Sequence, residues 1–168
     1  VNDANDFVFG GHITSPEDPT IALILFVFAF LGFGVKAAVF PLHSWLPTAS
    51  VAPTPVTALL HAVAVVKAGA FAIIRLIYYS YGTDFIKGTW AQNLVMALAM
   101  FTIFYGSATA LRQKHFKRRL AFSTISNLSY IVFAATLMTE AGLLAAFCHL
   151  LFHSIIKIGA FFSAGAVL

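Results

Sequence analysis

An all-α membrane protein of about five transmembrane helices is the fold class that this sequence predicts, and three observations predict it. Of its 168 residues, 60% are hydrophobic and only 10% are charged, where a soluble domain carries about 25% charged residues. The mean hydropathy is +0.90. Long apolar runs alternate with short polar or Pro-rich segments, and at about 20 residues per crossing the chain has room for five spans.

Residues 1–20 are polar and carry Asp3, Asp6, Glu17 and Asp18, which reads as an external loop. The chain opens without a basic start and small-residue cleavage site, and it stops at Leu168 inside an apolar run; a piece of a longer protein is expected. The first span covers about 21–40. Gly32, Gly34, Lys36 and Pro41 weaken or end a helix there, so it reads as a broken helix with the break at Pro41. The link that follows, 43–55, holds three prolines and Trp45, a side chain suited to a membrane interface. A second span covers about 56–79 and ends in Tyr78, Tyr79 and Tyr81, an aromatic belt. The remaining spans are expected at about 91–111, 120–138 and 141–168, which makes residues 21–168 one partial membrane domain.

The formal net charge is +4, but nucleic acid is not the expected partner. Arg112, Lys114, Lys117, Arg118 and Arg119 crowd one loop between apolar runs, and basic loops orient helices in a membrane with the positive side inside. That rule places the acidic start, Asp84 and Glu140 outside and the Pro-rich link inside. The single cysteine, Cys148, excludes an internal disulfide and a thiolate cluster within this chain. No phosphate-binding glycine loop, nicotinamide or flavin fingerprint, or nucleophile elbow is present, so no cofactor is expected.

Lys36, Lys67 and Lys157 each interrupt an apolar stretch, and a lysine at the centre of a membrane helix costs about 2.5–3.5 kcal/mol. Lysines near helix ends can instead snorkel to the interface, which is the structural alternative. Desolvation disfavours the charged form of an amine, and a dehydrated lysine is therefore suited to taking up and releasing a proton. His149, His153 and Lys157 recur every four residues and line one face of the fifth helix. Imidazole can accept at one ring nitrogen while donating from the other, which suits a relay. A metal site is a rival reading of His149 and His153, but no third ligand is evident in the spans, so no metal is expected; a purely structural histidine pair is another. His61 and Lys67, six residues apart, fall on different faces and can meet different neighbours. Thr102, Tyr105 and Thr109, with Ser123, Ser126, Asn127 and Tyr130, form polar stripes of the kind that joins helices in membranes.

Four stretches then carry a resemblance: GVKAAVFPLHSWLP (34–47), APTPVTALLH (52–61), FKRRLAFSTISNLSY (116–130) and HLLFHSIIK (149–157). Together they resemble the antiporter-like subunits shared by respiratory complex I, Mrp-type sodium/proton antiporters and membrane-bound hydrogenases, over nearly the whole chain after Thr20. Asn127 stands where glutamine or histidine is common in that family. The resemblance implies part of an inverted-repeat fold, in which Lys36 belongs to the first broken helix, His61 and Lys67 to the following one, and His149, His153 and Lys157 to the central relay. Lys117 would stand near the internal mouth. Expected partners are other membrane subunits, the bilayer, and protons with sodium as a second candidate ion. The implied activity is proton translocation as a subunit of a redox-driven pump, an NADH:quinone oxidoreductase-like translocase or a hydrogenase, without a redox centre of its own. An Mrp-type antiporter subunit and a non-transporting structural subunit are the alternatives. The expected location is a bacterial or archaeal inner membrane rather than the mitochondrial one.

Overall fold

A computed structural model describes Gly11, Ile13 and residues 18–50, 52–62 and 64–167. The expected external loop falls mostly outside these residues. Helix α1 spans Pro19–Ala37, with proline in the first turn, where its missing N–H is no loss. It runs unbroken through Gly32, Gly34 and Lys36; the expected break comes at its end. Ala38 adopts a left-handed conformation at φ 56, and the Val39 N–H closes back on the Gly34 carbonyl at 2.9 Å, a termination that satisfies an otherwise orphaned carbonyl. Pro41 lies in the turn beyond, before the short helix α2, Trp45–Ala49. Trp45 donates its indole N–H back to the Val35 carbonyl at 2.7 Å, which ties α2 to the end of α1.

The expected span at 56–79 is divided. Helix α3 covers Thr54–Ala62 and α4 covers Val65–Arg75, and a π-helical stretch continues over Leu76–Tyr81. Between α3 and α4 the Ala64 N–H reaches the Leu59 carbonyl, five residues back, at 3.0 Å. The tyrosines at the far end do not form a belt. Tyr79 is exposed, whereas Tyr78 is buried and donates to the Ala135 carbonyl at 3.2 Å, and Tyr81 packs edge-on against Phe26.

A single turn, α5 at Thr83–Ile86, leads to α6 at Trp90–Arg112, capped by the Thr89 hydroxyl, which accepts from the Gln92 N–H. Helices α7, Phe116–Thr136, and α8, Glu140–Val167, complete the described chain. The Thr139 hydroxyl accepts from the Gly142 N–H at 3.0 Å, and Glu140 stands in the first turn of α8, where the helix dipole favours an anion. Among the described residues, four helical stretches are long and apolar enough to cross a membrane: 19–37, 54–81, 90–112 and 140–167. Helix α7 has the length but is richer in Ser, Thr and Asn, and it packs between α6 and α8 with α4 beside it.

Two glycines set the closest approaches. A Cβ at Gly69 on α4 would lie 2.5 Å from the Ala37 nitrogen, and one at Gly106 on α6 would lie 3.0 Å from the Ser126 nitrogen, so the backbones meet where only hydrogen fits. Phe26, Phe30, Ile73, Ile125 and Leu128 fill the interior, while Phe28, Phe104, Leu144 and Ile156 point outward. Apolar residues on both the inner and outer faces are what a lipid-embedded helix requires.

Candidate functional site

The inward face of α8 carries Ala146, His153, Lys157 and Phe161, all buried, at the four- and seven-residue spacing that keeps side chains on one side of a helix. Its opposite face presents Leu151, Phe152, Ile155 and Ile156 to the exterior. Lys157, 4% exposed, donates its ammonium to the Leu120 carbonyl at 3.0 Å and to the Ser123 hydroxyl at 2.9 Å, both on α7. Lys67, 5% exposed at the start of α4, donates to the Leu150 carbonyl at 3.2 Å and lies 2.7 Å from Nδ1 of His153. That last contact has two chemical forms. With the ammonium donating, the imidazole carries its proton on Nε2; with the imidazole donating from Nδ1, the amine is neutral.

One turn back along α8, the His149 ring stacks on His153 with centroids 5.9 Å apart and planes 6° from parallel. Nε2 of His149 lies 3.2 Å from Oδ1 of Asn127 on α7. A cavity of about 280 Å³ runs along this face, and Ser123, Asn127, His149, His153 and Lys157 supply its polar lining, with Leu120 and Ile156 among its apolar walls. Nε2 of His153 is buried and has no hydrogen-bond partner among the described residues.

The other expected residues fall at varying distances from this seam. His61, on α3, is fully buried against Phe161 of α8, with ring centroids 5.0 Å apart, and neither ring nitrogen has a hydrogen-bond partner among the described residues. His61 and Lys67 do meet different neighbours, yet both neighbours lie on the same face of α8. Lys36 is not buried: it is exposed in the last turn of α1, where a cation meets the negative end of the helix and its methylenes can carry the charge outward. Lys117 is half-buried in the first turn of α7 and lines a different cavity from the seam's. Among the described residues no group of three His, Cys, Asp or Glu side chains converges on a point that could hold a metal ion.

The sequence profile described as NADH:quinone oxidoreductase/Mrp antiporter, TM, matches residues 13–168. The chain belongs to that family. It is 36% identical over 165 residues to the chloroplastic NAD(P)H-quinone oxidoreductase subunit 5 of Zea mays, covering 98% of this chain and 21% of the relative. It is 37% identical over 163 residues to NAD(P)H-quinone oxidoreductase chain 5 of Picosynechococcus sp., covering 97% and 23%. The chain thus spans about a fifth of the length of these curated relatives. Among solved structures it is similar to a chain of the Mrp complex from Dietzia sp., with 34% identity and a TM-score of 0.81 over 90% of this chain and 16% of that one. It is also similar to a chain of the membrane-bound sulfane sulfur reductase, an archaeal respiratory membrane complex, with 34% identity and a TM-score of 0.77 over 89% and 30%.

In this member of the NADH:quinone oxidoreductase/Mrp antiporter family the seam joins the α7 stripe, read from spacing as helix-joining, to the titratable face of α8. Ser123 and Asn127 are four apart on α7, matching Lys157 and His149 on α8, so the polar stripe of one helix faces the titratable stripe of the other. A further buried histidine, His43, lies beyond the end of α1. Its ring packs at 4.7 Å from Tyr105 and 5.5 Å from Phe40, while the Phe40 N–H donates to the Thr102 hydroxyl at 3.0 Å. Its signal in the sequence was a lone histidine in a proline-rich link, which carries little information.

Proposed function

We propose that this chain forms part of a proton pathway across a membrane, in a subunit of a larger complex that couples ion movement to redox chemistry. The observation that carries the reading is the 2.7 Å approach of the Lys67 ammonium to Nδ1 of His153 between two apolar helices. At that distance a proton can pass from Lys67 to His153 with little movement of heavy atoms. The protonated ring then carries a second N–H on Nε2, which it can release into the polar side of the cavity. Ordered water there, held by Ser123 and Asn127, would link His153 to His149 and Lys157. His61 would serve as a further stop at the α3 end of the same face, and Lys36 and Lys117 would stand at the aqueous approaches. In this reading α7 is a fifth crossing, its polar residues sheltered by α4, α6 and α8, and residues 1–20 form an external loop.

The test is proton flux in proteoliposomes containing the complete complex. Lys67→Met is expected to lower flux by about a hundredfold or more, the scale of losing a positioned acid–base group, with assembly retained. Unchanged flux would rule out the relay and leave a structural subunit. A second reading, transport of sodium against protons, draws on the likeness to a chain of an Mrp complex; flux that requires sodium on the opposite side would select it. Similar chains come from chloroplasts, a cyanobacterium and archaea; we favour a bacterial or archaeal inner membrane.

A further inference from the structure

Two segments distant in sequence meet at one end of the bundle. Ser50, buried just beyond α2, faces the start of α7 across a cavity of about 340 Å³ that His115, Lys117 and Arg118 also line. Residues 112–119 contain five cations and no acid. Asp84 precedes α6 and Glu140 opens α8, so both acids belong to the opposite ends of the antiparallel pair α6 and α7. Arg119 has partners of its own: Nε donates to the Ala110 carbonyl at 3.3 Å and Nη2 to the Leu111 carbonyl at 3.5 Å, which satisfies the carbonyl end of α6. Lys117 and Arg118 have no ion pair among the described residues, and they occupy the first turn of α7, where the positive end of the helix repels them.

Orientation in the membrane accounts for a basic loop but not for a cavity lined by unpaired cations against their own helix dipole. That arrangement calls for an anion. Beside it, Leu111 is 75% exposed and Phe116 is 49% exposed, so apolar surface adjoins the charge where α6 and α7 turn at their ends. Charge plus adjoining hydrocarbon is the complement of a lipid rather than of a free ion. We propose that the cavity between α2 and α7 binds the phosphodiester headgroup of an anionic membrane lipid, with Lys117, Arg118 and His115 on the phosphate and the acyl chains along Leu111 and Phe116. This cavity shares no lining residue with the one along α8; Lys117, placed above at an aqueous approach, is left unaltered in the test.

The test uses the full-length protein in detergent, titrated with fluorescent phosphatidylglycerol and, separately, phosphatidylcholine. Phosphatidylglycerol is expected to bind more tightly, Arg118→Gln to weaken it by about fivefold, and Arg118→Lys to retain it. Equal binding of the two lipids, or no effect of Arg118→Gln, would overturn the proposal. Displacement by millimolar inorganic phosphate would overturn the lipid assignment and leave a free-anion site. Should the glutamine variant fold poorly, a phosphatidylglycerol with a photoreactive headgroup decides on the unaltered protein: labelling of residues 115–118 supports the site, and labelling confined elsewhere overturns it.

Discussion

Lys157 and Lys36 read alike in the sequence, each a single cation in an apolar run, but the fold treats them in opposite ways. Lys157 lies well inside α8, far from either end, and is buried, meeting a carbonyl and a hydroxyl of α7. Lys36 is one residue from the end of α1 and turns outward. The cost of a charge in hydrocarbon is thus offset by hydrogen bonds in one region and avoided by position in the other. Depth along the helix, more than the apolarity of the neighbours, decides whether a lysine becomes part of a polar seam.

The sharpest way to break this contrast is at Lys157. Lys157→Met in the complete complex is expected to cut proton flux by about a hundredfold or more; flux at the normal rate would mean that burial and polar contact do not mark a working residue. A smaller effect is expected at the glycine that sets the α1–α4 contact. Gly69→Leu must push the two backbones apart and should destabilise the fold by about 1–3 kcal/mol, seen as a lower melting temperature in detergent, whereas Gly32→Leu, with open space around it, should leave melting unchanged. Asn127→Leu removes the acceptor beside His149, a loss of about 1 kcal/mol, and should slow flux by about fivefold; no change would detach α7 from the relay. The smallest expected effect is on the stability of Lys36→Met, within about 0.5 kcal/mol as for other exposed positions. A large drop in melting temperature would show that Lys36 is held by contacts like those of Lys157.

Periodicity made the α8 stripe legible, because residues four apart on one helix share a face whatever surrounds them. The expected spans rested on apolar runs instead, and the second of them is divided in the fold. Partners were a different matter. Lys67 and His153 are separated by 86 residues, and Lys157 and Ser123 by 34, so no local pattern couples them; the hydroxyl stripe on α7 was visible, but such stripes commonly do no more than join helices. The division between α3 and α4 left no mark either. Ala62, Ala64 and Val65 are ordinary helix residues, with no proline or glycine among them, and the interruption falls between two side chains, His61 and Lys67, that both turn toward α8. A helix break was expected at Pro41, yet the helix ends earlier, at Ala37, because the left-handed turn at Ala38 is closed by backbone bonds rather than by the proline ring.

The contact at Gly69 has a mechanical side. Backbone rests on backbone there, with no side chain between to bend or change rotamer, so the last turn of α1 and the first turns of α4 form a pinned joint. Lys67 sits two residues from the pin. A displacement of the end of α1 is therefore expected to carry the first turns of α4 with it, and a shift of about 1 Å at Lys67 is enough to turn a hydrogen bond into a gap. The joint between α1 and α4 thus lies within one helical turn of the lysine–histidine pair.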